Sequence, residues 1–144
     1  MKLDVAACRR LATDAPVARL ATTRFGPDRE LLEIDLVPIV FAIDGESLIT
    51  AVDHKPKSSQ WLQRLTNITT HPEVAVLVDH YDDDWDRLWW VRLRGTARVL
   101  EPGPAHSAAI SPLVAKYPQY VGRPPTGPAI VVAISVWQGW AARD

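Results

Sequence analysis

Apolar and polar residues alternate with a period of two over much of this chain, the pattern of strands that bury one face and leave the other open. The run Val17-Ala18-Arg19-Leu20-Ala21-Thr22-Thr23 predicts a first strand, and Ile34 to Ile43 a second, interrupted at Pro38. Asp44-Gly45 is a hairpin signal that turns the chain into a third strand, Ser47 to Val52. Glu73 to Asp79 reads as the fourth and Leu88 to Leu100 as the fifth, entered through the acidic connection Asp82-Asp83-Asp84. Pro128 to Ala141 supplies the sixth. Helical spacing occupies the gaps. Asp4 to Thr13 predicts a short helix ended by Asp14-Ala15-Pro16. A second begins at Ser58 or Ser59, good N-caps for Gln60 to Leu65, and stops at His71-Pro72. Pro104 to Tyr120 predicts a third, broken at Pro112.

Six antiparallel strands with short peripheral helices predict a mainly β (α+β) fold closed into a small barrel, because closure removes exposed sheet edges. Pro38 cannot donate to a ladder, so it marks an edge, a bulge or a place where a ligand approaches the backbone. The adjacent Trp89 and Trp90 must point to opposite faces of the fifth strand, one into the barrel and one toward a partner, a ligand or water. They belong to a set of six tryptophans whose large apolar rings suit cores, interfaces and ring-binding pockets alike.

At 144 residues the chain fits one domain spanning its whole length, and 47% hydrophobic residues suffice for a core. A net charge of -1 gives no basis for a nucleic acid or anionic membrane partner. No run approaches a membrane span or a signal peptide, and one cysteine, Cys8, excludes an internal disulfide and a thiolate metal cluster. The expectation is a soluble, cytoplasmic protein. His54, His71, His80 and His106 lack metal spacing, no serine sits in a nucleophile elbow, and there is no P-loop or dinucleotide fingerprint. Asp79, Asp82, Asp83 and Asp84 lack the spaced ligands and glycine of a calcium loop and read as a solvated turn.

One segment carries candidate chemistry. Asp53-His54-Lys55-Pro56-Lys57-Ser58-Ser59 joins the third strand to the second helix and brings two lysines to a helix N-terminus. Two readings stand on spacing alone: a solvated basic turn, or an anion site in which Lys55 and Lys57 supply charge while Ser58 and the first helical N–H groups donate hydrogen bonds.

Over nearly its full length the chain resembles the pyridoxamine 5'-phosphate oxidase-like split β-barrel flavin proteins, and within them the deazaflavin-dependent reductases. The resemblance rests on Arg19-Leu20-Ala21-Thr22-Thr23, Leu36-Val37-Pro38-Ile39-Val40-Phe41, the Asp-Gly hairpin and Lys55-Pro56-Lys57-Ser58. It continues through His71-Pro72-Glu73-Val74-Ala75-Val76-Leu77-Val78-Asp79, Trp85, the strand Val91 to Val99, and Trp137-Gln138-Gly139-Trp140. It implies a six-stranded, FMN-binding-like split barrel, a homodimer, and a cofactor in a groove between protomers with its phosphate on Lys55, Lys57 and Ser58. It further implies that Thr50, Ala51 and Val52 line the ribityl and ring region by backbone contact, opposite Val37, Pro38 and Ile39. Trp85, Trp137 and Trp140 would rim a small-molecule pocket. The implied activity is hydride transfer from reduced coenzyme F420 to an enone, quinone or tetrapyrrole, with no catalytic side chain and no metal. The rival readings are an FMN-dependent oxidoreductase and a non-catalytic FMN- or F420-binding or storage protein. The oxidase's terminal basic motif is missing and the chain is shorter, so vitamin B6 oxidation is not implied.

Overall fold

The computed structural model describes residues 1–52 and 59–143. Seven strands form one antiparallel sheet: β1 (Ala18–Phe25), β2 (Leu31–Ile39), β3 (Ala42–Asp44), β4 (Ser47–Ala51), β5 (Glu73–His80), β6 (Trp89–Leu100) and β7 (Ala129–Ala141), in the spatial order β2-β1-β5-β6-β7-β4-β3. Three helices decorate it: α1 (Val5–Asp14), α2 (Ser59–Thr70) and α3 (Pro104–Lys116). Ile39 from one end of the sheet and Leu48 from near the other meet in a single interior cluster with Leu20, Val76, Leu93 and Val132. The sheet therefore curls around its core as a split barrel, as the alternation predicts.

The strand count is seven and not six, because the predicted second strand is two. The break falls at Val40-Phe41, two residues beyond Pro38. There the Phe41 N–H leaves the ladder and donates to the Tyr117 Oη at 3.0 Å, while the Tyr117 hydroxyl faces the Pro16 and Phe41 carbonyls at 2.9 and 3.0 Å. Pro38 stays inside β2, opposite Arg19, and β2 is the terminal strand, where a missing donor interrupts no second ladder. Pro112 is a second correction: α3 runs through it to Lys116. Pro112 lacks the N–H that would serve the Ala108 carbonyl, so the helix forgoes one bond there.

Side-chain pattern explains how each helix docks. Asp4 caps α1 by accepting from the Ala7 N–H at 2.8 Å, and Cys8 and Ala12, one turn apart, are fully buried. On α3, His106, Ile110 and Leu113 make the buried stripe. That helix covers the outer face of β4 and β7, so Ala129-Ile130-Val131-Val132 is buried on both sides and reads as a continuous apolar run. Trp89 packs toward the core and Trp90 faces out, as strand geometry requires.

Lys116 locks the end of α3 to the α1–β1 junction. Its ammonium donates to the Ala15 carbonyl at 2.7 Å and lies 3.9 Å from the Phe41 ring centroid. Burial depresses its pKa to about 8 against the opposing pull of Asp14. A folded-state value below the unfolded 10.5 means the unfolded chain binds more protons between the two, so this group's penalty is full below about pH 8 and lifts as pH rises toward 10.5. Urea melts should show wild type gaining on Lys116→Met between about pH 7 and pH 9.5, and a pH-independent difference would contradict this.

Candidate functional site

Two of the clefts on the described surface bear on the residues that the sequence singles out. The first is a groove of about 370 Å³ between β2 and α2, lined by Arg24, Glu33, Asp35, Leu36, Val37, Gln63 and Arg64. Strand alternation sends Asp35 and Val37 toward α2, whose residues Gln63 and Asn67 stand one turn apart. Beneath the groove runs a buried polar network. The Asn67 amide donates to Asp35 Oδ2 at 2.6 Å and to Thr22 Oγ1 at 3.1 Å, and Gln63 donates to Asn67 Oδ1 at 2.8 Å. Thr22 and Asn67 are 1% and 2% exposed, so this network holds α2 against the barrel in one register. Burial pushes the Arg64 guanidinium's pKa down while the Asp35 carboxylate opposes that shift. Arg24 pairs through Nη2 with Glu33, but its Nε is buried with no hydrogen-bond partner among the described residues. A buried donor left open at a groove wall suits an acceptor-rich ligand.

The predicted cofactor residues fall as follows. Val37 lines the groove, Pro38 pairs with Arg19 and Ile39 is buried in the core. Thr50 and Ala51 pair with Ile130 and Ala129 of β7, Thr50 on the barrel-interior face and Ala51 against the α3 cluster. No ladder joins β2 to β4, which lie toward opposite ends of the sheet. Val52 is buried, with its N–H donating to the Pro128 carbonyl at 3.0 Å. Lys55, Lys57 and Ser58 lie outside the described residues.

A buried histidine that sequence reasoning passed over fixes the end of β4. His106, 4% exposed, donates from Nε2 to the Gly127 carbonyl at 2.7 Å, since a carbonyl can only accept. Gly127 leaves so little room that a Cβ there would lie 2.7 Å from the Val52 Cβ. This contact places Gly127 against Val52, just past the end of β4. The helical spacing of His106 with Ile110 and Leu113 was the available signal.

The second cleft, about 500 Å³, lies on the outward face of β5, β6 and β7 and is walled by Leu77, Tyr81, Leu88, Trp89, Trp90 and Trp140, with Asp79, His80 and Arg92 among them. Of the three tryptophans expected at a pocket rim, only Trp140 is there. Trp137 lies on the opposite face of β7, packed toward the core beneath the Arg9 guanidinium 4.8 Å from its ring. Trp85, 71% exposed on a 3₁₀ turn, does not line the cleft. Trp90, Arg92 and Tyr81 take those places. The described residues include no group of three side chains able to hold a metal ion and no helix long and apolar enough to cross a membrane.

Residues 5–141 match the family model of the pyridoxamine 5'-phosphate oxidases. The chain belongs to that family. Solved structures share the family fold at low identity. A conserved hypothetical protein of Mycobacterium tuberculosis superposes with a TM-score of 0.71 at 18% identity, covering 97% of this chain and 86% of that one. An FAD-binding protein of Mycobacterium smegmatis gives 0.64 at 17% identity, covering 97% and 96%. An FAD-binding protein of Mesorhizobium loti gives 0.63 at 18% identity, covering 96% and 95%. No curated protein matches the chain.

Proposed function

We propose that this member of the oxidase family is a homodimeric oxidoreductase that holds a flavin-type cofactor, coenzyme F420, in the groove of β2 and α2. The observation that carries the reading is the groove itself: Arg24, with an unpartnered buried Nε, and Arg64 flank it, and the Lys55-Pro56-Lys57-Ser58 segment immediately precedes α2 in the sequence. In this reading Lys55 and Lys57 neutralise the cofactor phosphate, Ser58 and the start of α2 donate to it, and Val37, Pro38, Ile39, Thr50, Ala51 and Val52 position the ribityl and ring. Bound there, the reduced deazaflavin would supply hydride to an electron-poor double bond of an enone, quinone or tetrapyrrole. The chain's own part is to bind, orient and exclude water.

The FAD-binding proteins with the same fold support a flavin-type cofactor and make FMN the specific alternative, with binding or storage without turnover as the non-enzymatic one. Leu32, Ile34 and Leu36 project from alternate positions of β2 at 57%, 61% and 66% exposure, on the same sheet face as Leu77 and Val136. Such a face suits a second copy of the chain, burying roughly 2,000 Å² or more in the manner of permanent dimers.

Fluorescence titration tests the cofactor. F420 should bind with micromolar or tighter affinity and FMN more weakly. Lys57→Ala should cost about 1.5–3 kcal/mol, roughly a tenfold to hundredfold loss, with the fold unchanged. An unchanged dissociation constant at low salt removes Lys57 from the site; tight FMN carried through purification overturns F420. Light scattering of the same preparation should give twice the 16.0 kDa chain mass.

A further inference from the structure

We propose that Lys116 is an acylation site, its side-chain amine accepting a small acyl group of about the size of acetyl from a thioester. Lys116 closes α3 and reaches across to the α1–β1 junction, where its nitrogen donates to the Ala15 carbonyl at 2.7 Å. The same nitrogen lies 3.9 Å from the Phe41 ring centroid and 5.3 Å from that of Tyr117. The nearest hydroxyl, Tyr117 Oη, is already engaged with the Phe41 N–H and the Pro16 and Phe41 carbonyls. No carboxylate stands within ion-pair distance of Lys116 among the described residues, and Asp14 acts on it only from farther off. A half-buried charge thus has one hydrogen bond, two rings and no close counter-ion.

Those surroundings select the modification. Burial outweighs the pull of Asp14 and lowers the amine's pKa to about 8. At about pH 7.5 such an amine is neutral in roughly a quarter of molecules, against about one in a thousand for a solvated lysine. Lower basicity also slows the attack, but nucleophilicity follows pKa with a slope well below one, as it does for thiols, so the roughly two-hundredfold gain in free amine prevails. Methylation would keep the charge that burial opposes, and a carbamate would set a second carboxylate near Asp14. Acylation removes the charge and leaves one N–H for the Ala15 carbonyl. In the step itself the amine lone pair attacks the thioester carbonyl carbon and the C–N bond forms. The C–S bond breaks with its electron pair on sulfur, and the proton lost by nitrogen passes through solvent to that thiolate. Nothing is oxidised or reduced.

Nothing in this depends on F420, so the test is run on the protein without cofactor. The folded chain is treated at about pH 7.5 with N,S-diacetylcysteamine, a small neutral thioester, and acetyl-lysine is measured peptide by peptide in a mass spectrometer. Lys116 should be labelled at least about fivefold faster than the exposed Lys2, and the two rates should converge in denaturing urea, where the burial is gone. A lower ratio in the folded protein overturns the proposal, as does a preference that persists in urea. Protein acetylated at Lys116 during synthesis should melt at pH 7 within about 3 °C of wild type or above it, and should lack the gain in stability between about pH 7 and pH 9.5 that the free amine confers. A deeper fall in melting temperature shows that the junction rejects the acyl group, and a gain that persists shows that Lys116 is not the strained charge; either result overturns the assignment.

Discussion

Asn67→Ala is expected to destabilise the protein by about 2–4 kcal/mol, a fall of roughly 5–15 °C in melting temperature for a domain of this size. The residue is 2% exposed and its amide serves three partners at once: the Asp35 carboxylate, the Thr22 hydroxyl and the Gln63 amide. Truncation removes all three bonds and leaves a small void, and water cannot readily reach Thr22, itself 1% exposed. Asn67→Asp separates charge from packing. The new carboxylate would face Asp35 across a gap that is now a 2.6 Å hydrogen bond, so the two should compete for a proton. Its deficit relative to wild type should shrink as pH is lowered from about 7 to about 5, where one of the pair can be protonated. Chemical denaturation at the two pH values measures this; a mutant within about 0.5 kcal/mol of wild type would show that the network does not hold α2.

Most of the fold was legible because strand alternation is strong wherever one face is buried. Val74, Val76 and Val78 on β5, and Val91, Leu93 and Ala97 on β6, are inward residues at a spacing of two, and both strands lie where the pattern places them. One boundary differs, at the end of β2. Pro38 carries an obvious backbone signal, yet the chain breaks at Phe41, because Tyr117, 76 residues away, captures its N–H. A long-range hydrogen bond leaves no trace in local periodicity. Pro112 misleads for the opposite reason: its local penalty is real, but the rest of α3 is held by a buried stripe that contributes more than one missing bond.

The candidate site was legible in part. Val37 was named and does line the groove, but Asp35 and Gln63 were not, since polar residues on a strand and a helix reveal their proximity only in three dimensions. Trp137 and Trp140 were grouped although they stand three positions apart on a strand, and odd spacing already puts them on opposite faces. The aromatic partner of Trp140 is Trp90, set by the β6–β7 register. That register in turn depends on a bulge that sequence does not announce.

The bulge supplies the second large effect, Gly95→Ala. Arg94 pairs with Val136 but Gly95 pairs with Ile134, leaving Ser135 as the extra residue, its hydroxyl 3.2 Å from the Arg94 carbonyl oxygen. At this point the strands approach so closely that a Cβ on residue 95 would lie 2.2 Å from the Ala133 carbonyl oxygen and 2.9 Å from Val132 Cγ1. The first obstacle is backbone, so no rotamer change relieves it; β6 and β7 must part, or the bulge must move. Losing it, with a one-residue shift of register, would reverse every side chain beyond it, turning Trp137, Gly139 and Ala141 outward and Trp140 into the space under α1. Gly139 could not accept that exchange gently, since it sits where Cys8 of α1 packs, with room for no side chain. Parting the strands is the lesser cost and should still reach about 3 kcal/mol or more, a fall of roughly 6–12 °C. Thr96→Ala, one residue on and exposed, should stay within about 0.5 kcal/mol of wild type. Thermal melts of the two variants test the bulge, and a Gly95→Ala protein that melts with wild type would mean that β6 and β7 do not approach as described.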